Sequence, residues 1–396
     1  MTSPDLATIR KNGSIFFEKL LQELERLEVD PTSLSHPDHL CLRVASLAEY
    51  ESYKLSVSAG GGKLLTETEV NGRPIATYRL PEAFETRQGP VFLLEIPAPK
   101  PGSPYPTGFE HAEFVLREGF ARFSARHPRL SFSGAEPKIL NAELGLITAH
   151  GQAKFHSSRL DRVIQIEEAR VRDVVFDFDG TIIDARERIY EINASVFSRL
   201  LGREVSVEEA RANHCADFPG LFDKFGVIDP STRARGMDVW GEVSSGVSFS
   251  LFAGIAELLT ELRALGFVLH IWTAREESST RRILTQQGLE DFFETLSFSN
   301  PHVSKPHPDT LNFDWKSCAP NSVIVVGDSW TDMRGAANIG AIAAAALWDT
   351  EISADELCEQ GAELFLKSPA DLLSFLSPRS PKAFRGSSGP EGQKLS

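Results

Sequence analysis

Val174-Val175-Phe176-Asp177-Phe178-Asp179-Gly180-Thr181-Ile182-Ile183-Asp184 decides how the rest of the chain is read. It opens as a run of β-branched and aromatic residues, the pattern of a strand buried in a parallel sheet. The run then delivers two acids, Asp177 and Asp179, into a turn at Gly180 and Thr181. Asp-Gly is ordinary turn chemistry, and on the plainer reading Asp179 only opens the loop. Yet two carboxylates two positions apart at a strand's C-terminal end make a poor core and a good seat for a hard cation. Magnesium takes oxygen ligands and is commonly held by one or two carboxylates plus substrate phosphate.

Three further pieces follow in order. Val268-Leu269-His270-Ile271-Trp272-Thr273 is a second apolar strand ending in a hydroxyl, and Lys305-Pro306 supplies a cation. Ser322-Val323-Ile324-Val325-Val326-Gly327-Asp328 is a third strand ending in an acid, with Asp332 four residues on. Together the four pieces resemble the haloacid dehalogenase superfamily over roughly residues 170–376, whose nucleophile pattern is Asp-x-Asp-Gly-Thr after an apolar strand. The resemblance implies a phosphoric monoester hydrolase in which Asp177 is the nucleophile and Asp179 the acid and base. Thr273 and Lys305 would bind phosphoryl oxygens. Magnesium would be held by Asp177, the Asp179 carbonyl and Asp328, with Asp332 acting indirectly. A leaving-group acid at Asp179 favours a phosphatase over the dehalogenase branch. A sugar phosphomutase shares the same motifs and stays open.

The chain has 396 residues, too many for one ordinary core, so two or three domains are expected. A net charge of −14 argues against nucleic acid or an anionic membrane as the main partner and leaves room for a small phosphate ester. The four cysteines, Cys41, Cys215, Cys318 and Cys358, have no metal-type or paired spacing and read as reduced thiols of a cytoplasmic protein. Met1 to Phe17 has no apolar core of signal-peptide length, and no later run is long enough to span a bilayer. The oligomeric state is left open.

Residues 1–169 carry a repeat. Asp38–Val44 and Glu110–Leu116 alternate polar and apolar residues as half-buried strands do, and Val91–Ile96 and Val163–Glu167 form a second matched pair. His39 to Glu95 and His111 to Glu167 have the same separation. A short helical stretch follows each histidine strand, near 46–58 and 118–125, so each half reads as strand, helix and three strands. Period two puts His39 with Cys41 and Arg43, Glu95 with Leu93, and Glu167 with Gln165, while Leu40, Leu42, Phe92, Leu94, Ile164 and Ile166 face the helices. Two imidazoles and two carboxylates then suit zinc, nickel, iron or manganese. Arg43 reads equally as an anchor for an acidic ligand or as a salt bridge, and His156 as a surface residue.

This half resembles the vicinal oxygen chelate superfamily, the glyoxalase-like fold of paired βαβββ modules. The resemblance implies metal ligands on the first and last strand of each module, onto which His39, Glu95, His111 and Glu167 fall. It also implies a different-class alternative, a metal-dependent lyase or isomerase centred on those residues. A metal-free binding module is the other reading.

Ile15 to Leu27 carries a helical stripe, and Pro97–Pro106 joins the two modules. The region of about 185–248 reads as helices: Ala185–Leu201 ends at Gly202, and Ser206 with Glu209 marks a helix start. It resembles the small helical cap of the phosphatase-like branch, with His214, Lys224, Arg233 and Arg235 as candidate substrate contacts. Strands and helices then alternate to residue 376. That order predicts an α/β fold, a Rossmann-like parallel sheet with its site at the strands' C-terminal ends. Residues 377–396 are Ser/Pro/Gly-rich and are expected to be disordered.

Overall fold

The computed structural model describes residues 4–70, 72–100, 102, 105–134, 138–215, 218–299 and 303–382. The chain divides into two compact units, Met1–Glu168 and Ala169–Ser396.

In the first unit α1 (Leu6–Arg26) precedes β1 (Leu34–Arg43), α2 (Leu47–Ala59), β2 (Lys63–Val70), β3 (Arg73–Phe84) and β4 (Val91–Pro97). Then come β5 (Gly108–Leu116), α3 (Phe120–Arg126), β6 (Glu143–Thr148), β7 (Gly151–His156) and α4 (Leu160–Glu167). The strands form one sheet in the order β2-β3-β4-β1-β5-β7-β6. β1 pairs in parallel with β4, and β5 in parallel with β7, while β1 and β5 join the halves antiparallel. Leu40, Leu42, Leu94, Ile96, Phe114 and Phe155 point to one face and share a core with Phe17, Leu20 and Leu24 of α1.

Several expectations for this unit are corrected. α1 starts nine residues earlier than the stripe suggested: Leu6, Ile9 and Gly13 extend its buried face, and Ile15 falls outside it, 47% exposed. Phe92, expected to face the helices, is 38% exposed. Among the described residues the second half has two strands after α3. Val163–Glu167 is not its last strand but the end of α4, with Val163, Ile164 and Ile166 buried along one helical face. Five residues of V-I-Q-I-E alternate equally well on a short helix and on a strand, and tertiary packing chose the helix. β7 holds the place beside β5 that β4 holds beside β1.

The second unit opens with β8 (Asp173–Phe176) and a two-residue strand β9 (Ile183–Asp184). The helices α5 (Arg186–Leu201), α6 (Val207–Ala212), α7 (Phe218–Lys224) and α8 (Pro230–Ser244) follow, before β10 (Ser250–Leu251). β10 pairs antiparallel with β9, so the helical insertion leaves and re-enters the domain through one two-stranded gate. Phe197, Val205, Leu221, Phe222 and Val227 give the insertion a small core of its own. α5 stops at Gly202 in the left-handed region, and Ser206 caps α6 by accepting from Glu209 N.

The remainder alternates as α9 (Ile255–Leu265), β11 (Val268–Thr273), α10 (Glu277–Gln287), β12 (Thr295–Phe298), β13 (Val323–Gly327), α11 (Trp330–Ile339), β14 (Ile342–Ala346), α12 (Ala354–Glu359), β15 (Leu364–Leu366) and α13 (Pro369–Leu376). The sheet order is β12-β11-β8-β13-β14-β15, and every pairing is parallel. β8 is central. Its apolar run is fully buried because helices cover both faces. The first residues of the stretch expected to be disordered are structured. Ser377–Arg379 forms a helical turn, Ser380 is buried, and Lys382 bonds the Ala264 carbonyl. Residues 383–396 lie outside the described residues.

Candidate functional site

β8 is flanked by β11 and β13, so Asp177, Thr273 and Asp328 come off three adjacent strand ends. The ladder runs through to the first acid, with Asp177 N donating to Val326 O at 2.8 Å. Asp179 stands across a tight turn closed by Gly180 N to Ile183 O at 2.9 Å. Gly180 has φ +81°, and a Cβ there would run into the Asp328 carboxylate. A Cβ at Gly327 would likewise meet Asp332. Both glycines are what let Asp328 and Asp332 approach Asp177.

Lys305 is wholly buried and donates to Asp177 Oδ1 at 2.8 Å and to the Trp272 carbonyl at 2.7 Å, while pairing with Asp332. The other Asp332 oxygen accepts from Ser329 N at 2.9 Å and caps α11. One oxygen each of Asp177, Asp328 and Asp332 lie within 4.8 Å of one another. Burial pushes the Asp177 carboxyl up to about 7 against the pull of Lys305. Burial, with Asp177 and Asp332 alongside, also raises Asp328 well above its usual value. These carboxylates are crowded beyond what Lys305 offsets. A divalent cation fits that donor set: hard oxygens, charge in excess, and ligand atoms close enough to share one ion.

Four residues at this site escaped the sequence. Arg275, 3% exposed, grips Asp179 through Nε at 2.9 Å and through a second nitrogen, and lies over the rings of Trp240 and Phe249. Arg186, at the start of α5, reaches Asp328 at 3.2 Å and Asp349 at 2.5 Å. Asn193 and Trp240 line the cavity from the insertion. The signal for Arg275 was its place two residues beyond Thr273, at the mouth of a strand. Of the four proposed insertion contacts only His214 lines the cavity. Lys224 bonds the His214 carbonyl, Arg233 bonds Val227 O and pairs with Asp223, and Arg235 points to solvent.

In the first unit His39 and His111 do meet, with ring centroids 6.3 Å apart. Their carboxylate is Glu113, 3.4 Å from His39 Nε2 and 3.1 Å from His111 Nε2. Glu95 stands 3.7 Å from His111 Nε2. Glu167 does not join them: it is exposed on α4, and no cluster of candidate ligands among the described residues contains it. His156, expected at the surface, is 3% exposed and paired with Glu113. Each of the first two histidines is oriented by the acid before it, His39 Nδ1 by Asp38 at 3.0 Å and His111 Nδ1 by Glu110 at 2.8 Å. That leaves both Nε2 atoms facing Glu113. Although burial opposes it, Glu113 and Asp38 raise the His39 pKa to about 10. Arg43 is spent on Glu110.

Residues 174–346 match the family model described as haloacid dehalogenase-like hydrolase, and residues 5–152 match the one described as YecM protein. A pyrophosphatase PpaX of Bacillus pumilus is 25% identical over 217 residues, 53% of this chain and 99% of that protein. A phosphoglycolate phosphatase of Synechococcus elongatus is 26% identical over 202 residues, 50% of this chain and 94% of that protein. Among solved structures, a haloacid dehalogenase-like family hydrolase of Streptococcus pneumoniae aligns at TM-score 0.45 with 21% identity, covering 52% of this chain and 99% of that one.

Proposed function

We propose, from the premise that the second unit is a haloacid dehalogenase-like hydrolase domain following a YecM domain, that it is a magnesium-dependent phosphatase for a small phosphorylated metabolite. The observation that carries this is the charge balance at the strand ends. Five carboxylates (Asp177, Asp179, Asp328, Asp332 and Asp349) face three cations (Lys305, Arg186 and Arg275). A phosphate dianion enters such a site only with a divalent ion. Relatives described as a pyrophosphatase and a phosphoglycolate phosphatase support release of phosphate to water over its return to a sugar.

Asp177 Oδ attacks phosphorus as the bond to the leaving oxygen breaks, giving an aspartyl-phosphate. Asp179 protonates the departing alkoxide, then takes a proton from the water that hydrolyses the intermediate. Thr273 Oγ1 accepts from Arg275 N at 3.0 Å, which leaves its own hydrogen to donate to a phosphoryl oxygen. Lys305 holds the nucleophile in place and offsets its charge. Asp177, the Asp179 carbonyl and Asp328 would hold magnesium, which would supply neutralisation of the phosphoryl charge. Asp332 acts through Lys305 and Ser329. Asp177→Asn is expected to abolish magnesium-dependent hydrolysis of p-nitrophenyl phosphate, as is chelation of the wild type, with recovery on adding magnesium. Hydrolysis surviving in Asp177→Asn removes the nucleophile from this scheme.

For the first unit, the two oriented imidazoles and Glu113 support a divalent transition-metal site, with His156 and Glu95 at its margin. Histidine ligands ordinarily donate their other ring nitrogen to a carboxylate, as His39 and His111 do here. Nitrogen and oxygen donors suit zinc, nickel, iron or manganese. No helix among the described residues is long and apolar enough to cross a membrane. We place the protein in the cytoplasm because Cys41, Cys215, Cys318 and Cys358 form no disulfide.

A further inference from the structure

Away from the carboxylates, the cavity wall is made by the helical insertion: Ile189 and Asn193 of α5, His214, Phe218 and Leu221 of α7, and Trp240 of α8. Trp240 Nε1 donates to Asn193 Oδ1 at 3.1 Å. An indole N–H can only donate, so it fixes the amide with its oxygen toward Trp240 and its nitrogen away. Asn193 is 1% exposed, and its Nδ2 has no hydrogen-bond partner among the described residues. His214 Nδ1 is in the same position. Buried polar groups in folded proteins are nearly always satisfied, so a donor left over in a cavity wall points to a ligand acceptor.

The wall's electrical character narrows that ligand. Burial, with Arg186 and Lys224 nearby, holds His214 down at about 4, so it is neutral at physiological pH. Every cation lining the cavity is already engaged: Arg186 by Asp328 and Asp349, Arg275 by Asp179, Lys305 by Asp177 and Asp332. What remains for the part of the substrate beyond the phosphate is an amide donor among apolar side chains, with no free positive charge among the described residues.

We propose that this wall selects the leaving group, taking an uncharged alcohol with an apolar face whose acceptor oxygen receives the Asn193 Nδ2 hydrogen bond. It disfavours leaving groups that carry a carboxylate or a second phosphate. The proposal rests on the phosphatase reading above and departs from the charged substrates in the names of the relatives. Asn193 and Trp240 are specificity residues here, acting on the substrate's far end and not on phosphorus.

Three aryl esters test it: phenyl phosphate with no acceptor, 4-acetylphenyl phosphate with a neutral acceptor, and 4-carboxyphenyl phosphate with a charged one. Phosphoglycolate and pyrophosphate are run beside them. Asn193→Asp keeps the oxygen that Trp240 needs and replaces the donor. It should lower kcat/KM for the acetyl ester about tenfold more than for phenyl phosphate, mainly through KM, since one neutral hydrogen bond is worth up to about that factor. Leaving-group acidity cancels in each wild-type to variant ratio. On the wild type, the carboxylated ester, phosphoglycolate and pyrophosphate should all be poorer than the acetyl ester. Ile189→Arg adds a cation to the wall and should raise the carboxyl-to-acetyl ratio at least tenfold, which keeps the test standing if Asn193→Asp unfolds. A wild type that prefers the charged substrates overturns the proposal. So does an equal loss on all three esters in a folded Asn193→Asp, or an unmoved ratio in Ile189→Arg. Hydrolysis of phenyl phosphate without discrimination sinks this inference alone, whereas no hydrolysis of any ester sinks the phosphatase reading with it.

Discussion

Arg275 has its charge buried, and Asp179 is the carboxylate it pairs with, while Ser279 Oγ takes one further N–H at 2.9 Å. A buried guanidinium without its partner is strongly unfavourable, so the pair holds Asp179 at one side of the cavity mouth. Asp179 is the more exposed member and is the one able to turn. We therefore treat Arg275 as a positioning residue for the proposed acid and base. A positioned acid contributes about 10²–10⁴-fold where the leaving group is poor, and little where it departs unaided. Asp179→Asn should lower turnover of an alkyl phosphate by about 10²-fold or more and that of p-nitrophenyl phosphate much less. Arg275→Met should show the same asymmetry at smaller size. Equal losses on both esters would assign the two residues to folding or binding instead. The acids themselves were legible because Asp-x-Asp-Gly at a strand end has few structural uses. Arg275 was not, because an arginine at the start of a helix is common and only the turn geometry brings it to Asp179.

At the scale of elements, legibility followed pattern length. The long alternation of β8 through β15 with their helices was readable, and with it the line of Asp177, Thr273 and Asp328 along one sheet edge. Val163–Glu167 was too short to separate strand from helix, and an equal spacing from each histidine lent it false support. The consequence is chemical. With α4 a helix, the carboxylate facing His39 and His111 comes from within β5 itself, two residues after His111, and β7 brings His156. Glu113→Gln should therefore abolish stoichiometric zinc uptake by the first unit, measured by elemental analysis after loading and desalting. Glu167→Gln should retain it. Zinc kept by the first variant, or lost by the second, would restore the ligand set that the spacing suggested. Lys154, 3.4 Å from Glu113, also lies 3.3 Å from Glu143, so its ammonium keeps a carboxylate partner in Glu113→Gln.

At the scale of the molecule, each unit closes a core from its own residues. The first gathers Leu6 to Phe155, the second packs Val175 and Trp272 with Val325 and Ala343, and the insertion packs within itself. Nothing in the proposed phosphatase chemistry draws a side chain from outside the second unit: Asp177, Asp179, Arg186, Asn193, Trp240, Thr273, Arg275, Lys305 and Asp328 all follow residue 169. A unit with its own core and complete site is able to fold alone. A chain of residues 169–396 should then unfold cooperatively and hydrolyse p-nitrophenyl phosphate within about twofold of the full protein at saturating magnesium. Thermal unfolding followed by circular dichroism, together with the steady-state rate, checks both parts. A fragment that folds but loses most of its rate would mean that the first unit governs turnover. The metal variants of the element scale then discriminate further. If Glu113→Gln in the full chain reproduces the fragment's rate, the cluster on β1 and β5 controls the phosphatase; if it leaves the rate alone, the first unit acts by its presence and not by its metal.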